Sequence, residues 1–142
     1  MQSSDPVRQR NGIVAFRVIA CGSRTWLGSE VVERALLEVA EMVWAADDFV
    51  IVIHGAAVGA DSISAEIASR IGCAVLACPA DWNKHGKAAG PIRNREMLKE
   101  NPQLVLAFWD GKSRGTQDMI EAAVSKGIPV NIYFEDGARS YR

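Results

Sequence analysis

Phe49-Val50-Ile51-Val52-Ile53-His54-Gly55-Ala56-Ala57-Val58-Gly59-Ala60-Asp61 is the stretch that decides the fold. Its first five residues are a continuous apolar run rather than an alternating one. Strands covered on both faces have that composition, and such strands belong to parallel sheets. A turn punctuated by two glycines follows. Ile63, Ile67 and Ile71 then recur on one helical face, and Gly72 supplies the stop. Strand, loop and helix in that order make half of a crossover unit.

The same unit recurs on either side. Upstream, Phe16 to Cys21 reads as a strand, and residues 29–46 repeat apolar side chains at 32, 36, 39 and 43, with Ser29 as the expected N-cap. Downstream, Cys73 to Cys78 is the third strand. A connection of about a dozen residues follows, longer than the usual two to six, and it opens a short helix from about Pro91 to Glu100. Leu104 to Phe108 is the fourth strand, residues 116–126 a helix stopped by Gly127, and Ile128 to Tyr133 the fifth strand. Repeated strand–helix units predict a twisted parallel sheet with right-handed crossovers. The expected boundaries are a flexible tail at 1–14, one domain at 15–135 and a C-terminal tail at 136–142.

Composition narrows the function classes. At 142 residues the chain makes one domain of ordinary size. Its net charge of −1, with both signs interspersed, supplies no basic field for nucleic acid. Cys21, Cys73 and Cys78 are odd in number and lie in or beside apolar runs, which points to reduced thiols rather than a disulfide frame. No Cys/His spacing suits zinc, and no metal is required by any cluster; Mg²⁺ would arrive only with a phosphate ligand. No apolar segment reaches the roughly 18 residues of a membrane helix, and residues 1–15 lack the apolar core of a signal peptide. The expected compartment is cytoplasmic.

The chemistry lies in the loops that follow strands, all of which fall on one edge of such a sheet. Gly22-Ser23-Arg24 follows the first strand. It is neither a dinucleotide fingerprint nor a Walker loop, yet Ser23 and Arg24 offer a hydroxyl and a guanidinium to a phosphate. Gly55 and Gly59 allow close approach of backbone, and Asp61 either caps the helix or accepts from a ribose hydroxyl. His54 reads as a satisfied, half-buried histidine. The long connection carries Trp82, Lys87, Arg93, Asn94 and Arg95 around a helix start, which is favourable ground for an anion. Gly111-Lys112-Ser113-Arg114-Gly115-Thr116 opens another helix with the same character, and Asp118 lies in its first turn. Trp82 and Trp109 are candidates to stack on a base or to close a pocket.

Together these motifs resemble the YspA-like branch of the SLOG superfamily. The likeness rests on Gly-Ser-Arg-x-Trp after strand one and His-Gly-x-Ala-x-Gly-Ala-Asp after strand two. It continues with Pro-Ala-Asp-Trp and Gly-Lys-x-Ala-Gly-Pro-x-Arg-Asn after strand three, and with Ala-Phe and a late Gly-Thr. It spans residues 17–133. The resemblance implies a single Rossmann-like, three-layer α/β domain with a five-stranded, mainly parallel sheet that binds nucleotides as a homodimer. Gly22, Ser23, Gly55, Gly59, Asp61, Arg93, Asn94, Gly115 and Thr116 would contact the ligand. Related members include the LOG phosphoribohydrolases, which carry Pro-Gly-Gly-x-Gly-Thr and paired glutamates. Here Gly-Lys-Ser-Arg-Gly-Thr-Gln-Asp stands instead, with Asp118 as the one matching acid and Arg93 or Arg95 as the matching arginine.

Three readings follow. The first is binding of a nucleotide or phosphoribosyl-type small molecule, as a sensor or processing protein. In the second the chain is an enzyme, a nucleoside-monophosphate hydrolase cleaving the N-glycosidic bond, with Asp118 and Arg95 as catalytic candidates. The third is single-stranded nucleic-acid binding, which the DNA-processing protein A relatives bring to mind and which the neutral overall charge disfavours.

Overall fold

The computed structural model describes residues 15–142, so the tail expected at 1–14 lies outside the described residues. Among the described residues one sheet of six strands has the order β3-β2-β1-β4-β5-β6. The strands are β1 (Ala15–Gly22), β2 (Phe49–His54), β3 (Ala74–Ala77), β4 (Leu104–Phe108), β5 (Val130–Tyr133) and β6 (Arg139–Tyr141). The helices are α1 (Ser29–Ala45), α2 (Ala60–Ile71), α3 (Trp82–His85), α4 (Ala89–Leu98) and α5 (Arg114–Ser125). β1 to β5 are mutually parallel, and β6 runs antiparallel to β5.

Alternation along β1 builds three layers, because successive side chains point to opposite faces. Val18 and Ala20 join the core under α1 and α2, where Val32, Leu36, Val39 and Val43 form the buried stripe. Ile19 and Cys21 join a second core under α4 and α5, with Met97, Leu98, Met119 and Ile120. The chain walks from β1 through β2 to β3, then returns across the sheet to β4 on the other side of β1. Strand order therefore reverses between β1 and β4, where a parallel sheet opens a crevice beyond its carboxyl ends.

Four local expectations are corrected. Gly28 rather than Ser29 is the N-cap residue of α1. The long connection is structured: α3 and a 3₁₀ turn at Gly86–Ala88 lead into α4, which starts at Ala89 and keeps Pro91 in its first turn. The third strand, expected from Cys73 to Cys78, is limited to Ala74–Ala77, an edge strand with all four residues exposed. Residues 136–142, expected as a tail, contain β6. Gly137 turns the chain at φ +90°, and Arg142 exchanges both backbone hydrogen bonds with Val130, at 2.8 and 3.2 Å. No helix among the described residues is long and apolar enough to cross a membrane.

Candidate functional site

Gly22 ends β1 at the reversal, and the packing there leaves no room for a side chain. A Cβ would stand 2.2 Å from the Phe108 carbonyl oxygen and 2.6 Å from the Ala60 Cβ. Ser23 is buried and its polar atoms are engaged by the scaffold. Its N–H donates to the Phe108 carbonyl at 2.9 Å, its carbonyl accepts from Trp26 and Ala60, and its hydroxyl accepts from the Asp110 N–H at 2.9 Å. Ser23 thus fastens the loops after β1 and β4 to the start of α2. Gly59, at φ +79°, presses against the Ser23 and Arg24 carbonyls, where a Cβ would approach within 2.5 and 2.4 Å.

The turn after β2 is held by Asp61, His54, Arg93 and Ser62, whose hydroxyl donates to the Ala57 carbonyl at 2.8 Å. The Asp61 carboxylate accepts from the Gly55 N–H at 3.1 Å and from the Ala57 N–H at 3.3 Å. His54 accepts the Ala56 N–H on Nδ1 at 3.0 Å, which assigns its proton to Nε2. Burial, and then the charge of Arg93, lower the His54 pKa and keep the ring neutral. Arg93 reaches from α4 to donate to the Gly55 carbonyl. Asp61 is 4% exposed. Burial is the larger influence on it and raises its carboxyl to about 6, against the two N–H bonds and the charges of Arg93 and Arg24.

The loop after β4 is folded by Asp110, whose Oδ1 accepts from the Lys112 N–H at 2.8 Å and the Ser113 N–H at 2.7 Å. Those bonds hold the Asp110 carboxyl below the usual carboxylate range. They leave the first N–H groups of α5, at Arg114, Gly115 and Thr116, without an acceptor among the described residues, as helix starts do. Asp118, expected in the first turn of α5, lies beyond that turn because the helix starts at Arg114, and it accepts on Oδ2 from Arg95 at 2.5 Å and from the Asn94 amide at 3.0 Å. Burial works to raise its pKa, but the bonds from Arg95 and Asn94 outweigh burial and keep the carboxyl ionised. The Asn94 amide also donates to the Gly115 carbonyl at 3.1 Å and ties α4 to α5.

These pieces enclose a cavity of about 580 Å³ at the β1–β4 reversal. Gly22, Arg24, Asp61, Trp82, Lys87, Arg93, Asn94, Gly115, Thr116 and Asp118 line it. Arg24 lies over the Trp82 ring, 5.4 Å from its centroid, and both residues line the cavity. Several of the residues singled out from sequence stand apart from the lining. Ser23 and Gly59 pack the loops together, Gly55 lies behind Arg93 and Asp61, and Arg95 directs its guanidinium to Asp118 and the Pro91 carbonyl. Trp109, paired with Trp82 in the sequence reading, does not line the cavity. Its indole donates to the Ser113 carbonyl at 3.0 Å and its ring packs on Phe134. Thr25 and Asp110 line the cavity without having been singled out. For Asp110 the signal was present, since Asp-Gly-Lys-Ser is the pattern of a side-chain-capped turn.

Comparison with known proteins bears on the family and the fold. Residues 16–85 match the model of the YspA, cpYpsA-related SLOG family. The chain is 36% identical over 119 residues to the Gene 61 protein of Mycobacterium phage D29, across 80% of this chain and 93% of the relative. Its fold is similar to the X-ray structure of DNA processing protein A from Streptococcus pneumoniae, with a TM-score of 0.61 at 16% identity, covering 83% of this chain. The match takes in 49% of that protein, so the chain spans about half its length.

Proposed function

The chain belongs to the YspA, cpYpsA-related SLOG family, and from that premise we propose that it binds a nucleotide or phosphoribosyl-type small molecule in the cavity at the β1–β4 reversal. One observation carries the reading: Arg114, Gly115 and Thr116, whose N–H groups are unpartnered among the described residues, line the same cavity as Arg24, Lys87 and Arg93. Free N–H groups and the helix dipole favour an anion at that point, and guanidinium groups add charge-assisted bonds. Asp61, already fixed by two N–H groups, is the acceptor for a sugar hydroxyl. A ligand of this class accounts for both signs of charge on the walls. Assembly as a homodimer is part of this reading and is read out by sedimentation of the purified chain.

Asp118 favours a second reading, N-glycosidic cleavage. It lines the same cavity as an ionised carboxylate, the group that an oxocarbenium-like transition state needs nearby. Its partner Arg95 holds it in place and stands outside the lining, so in this reading Arg95 is a positioning residue. Phosphate contacts then fall to Arg24, Lys87 and Arg114. Single-stranded nucleic acid is the reading that a net charge of −1 supports least.

The deciding experiment is a thermal-shift series with nucleoside mono-, di- and triphosphates and ribose 5-phosphate, each followed by chromatography for free base. A ligand at about 100 times its Kd adds roughly 2.7 kcal/mol, several degrees for a domain of this size. Stabilisation without product supports binding alone, and stabilisation with free base supports cleavage. A melting temperature unmoved by every member of the series overturns both.

A further inference from the structure

A second cavity of about 300 Å³ adjoins the first and shares Arg24, Ala57, Trp82 and Arg93 with it. The two chambers meet at the Arg24–Trp82 pair, and their walls differ in chemistry. The larger holds the free N–H groups of α5, two further cations and the carboxylates. Beyond the shared arginines and Trp82, the smaller is walled by Gly55, Ala56, Ala57, Val58, Pro79 and Ala80, none of which has a polar side chain.

The backbone of residues 55–57 is engaged as well. The Gly55 and Ala57 N–H groups bond to Asp61 and that of Ala56 bonds to His54. The Gly55 carbonyl accepts from Arg93 and the Ala57 carbonyl from the Ser62 hydroxyl. Of the turn residues that line this chamber, only Val58 offers a phosphate an N–H that is free among the described residues. An apolar ring would find cover. Val58 is 65% exposed and Trp82 49% exposed, apolar surface that a bound group would remove from water. The wall is also preformed: Ala56 holds φ +58°, a conformation rare for a residue with a side chain, and the bonds just named keep it there.

Resting on the reading of the larger cavity as a phosphoribosyl site, we propose that the smaller chamber receives the nucleobase. The ligand then lies extended, with its phosphate at the start of α5 and its sugar passing beneath the Arg24–Trp82 pair. Its planar ring covers Val58 and Trp82. A ring suits this chamber better than a second phosphate or sugar, because it asks for contact area and few hydrogen bonds. The Arg24 and Arg93 guanidiniums at the rim are placed to meet the acceptors on its edge.

The test compares ribose 5-phosphate with nucleoside 5′-monophosphates by titration calorimetry, on the native chain and on Val58→Trp. That substitution fills the smaller chamber from an exposed position. Ala80→Phe fills it from the loop after β3 and serves if Val58→Trp fails to fold. On the native chain the best nucleotide is expected to bind at least about tenfold more tightly than ribose 5-phosphate. Either variant should remove that excess and leave ribose 5-phosphate affinity within about twofold of native. A nucleotide affinity unchanged in folded variants overturns the proposal. So does a native chain that binds nucleotides no more tightly than ribose 5-phosphate. Both of those results leave the phosphoribosyl reading standing. A native chain that binds neither compound overturns the reading and the proposal together.

Discussion

Asp61 and Arg93 both hold Gly55, one by its N–H and the other by its carbonyl. The Asp61 carboxylate takes the Gly55 N–H at 3.1 Å, and the Arg93 guanidinium donates to the Gly55 carbonyl. Gly55 has to be glycine for this to work, since a Cβ there would lie 2.2 Å from the Arg93 guanidinium and 2.8 Å from the Asp61 carboxylate. The clamp joins α2 to α4 behind the cavity lining. It therefore sets the separation between the acid and the cation that a ligand meets.

The clamp has a pH signature. Burial lifts the Asp61 carboxyl from 3.8 to about 6. The folded chain thus holds this proton more tightly than the unfolded chain, so the contribution of the group to stability is full below about pH 4 and is lost as pH rises through about 6. Asp61→Asn removes the titration and keeps an oxygen for the Gly55 and Ala57 N–H groups. Relative to the native chain, the variant should gain about 2–3 kcal/mol between pH 4 and pH 7. Urea denaturation at the two pH values measures it. A difference that stays flat with pH would mean that Arg93 and the two N–H groups offset burial in full.

Two glycines at the site should respond in opposite ways to the same substitution. Gly22→Ala drives a methyl into the Phe108 carbonyl and the Ala60 side chain, and should cost about 1–3 kcal/mol or more. At Gly115 nothing lies within 4 Å of the added Cβ, and alanine in a helix is favoured over glycine by up to about 1 kcal/mol. Gly115→Ala should therefore raise the melting temperature slightly while weakening a phosphate ligand about tenfold, because the methyl occupies the approach to the α5 N–H groups. Native affinity in this variant would remove the start of α5 from the site.

Much of this layout was readable from residue types, and the unreadable part has a physical pattern. β2 and β4 announce themselves because continuous apolar runs are what burial on both faces demands. The α1 stripe at 32, 36, 39 and 43 is buried at every position. β6 carried no such signal. Arg139-Ser140-Tyr141 is polar and half-exposed, and it is a strand because β5 and Glu38 offer it partners. The loops fall on one edge by topology alone, but the direction of each side chain within them does not follow from sequence. Arg24 lines the cavity while its neighbour Ser23 is turned into the scaffold. Arg93 lines it while Arg95, two positions along the same helix, points to Asp118. Helix phase and the partners across the interface decide these choices.

The unannounced strand is itself testable. β6 covers the edge of β5 through backbone bonds to Val130, and Arg139 grips Glu38 with two nitrogens at 2.8 and 3.2 Å while lying over Tyr133. Ending the chain at Glu135 would strip these contacts and leave β5 as an open edge. The melting temperature should fall by several degrees, and the shortened chain should self-associate as concentration rises, as unpaired edges do. Arg139→Ala alone should show a smaller loss and no association. A truncated chain that melts and sediments like the native one would reduce β6 to an ornament of the fold.

Asp118 separates binding from cleavage. Its carboxylate is ionised because Arg95 and Asn94 hold it so, and it faces the cavity while Arg95 does not. Asp118→Asn keeps the shape and an oxygen for both donors but removes the negative charge. A nucleotide should therefore bind within about threefold of native, while release of free base should drop by about a hundredfold or more, the scale on which charge stabilisation of a transition state is lost. Arg95→Gln gives the complementary readout. With its guanidinium gone, the Asp118 carboxyl titrates at higher pH, so the acid limb of a cleavage profile should move upward while nucleotide affinity at neutral pH stays close to native. Equal loss of binding and release in Asp118→Asn would make Asp118 a structural tie between α4 and α5. An unmoved acid limb in Arg95→Gln would show that Arg95 does not set the charge of that carboxylate.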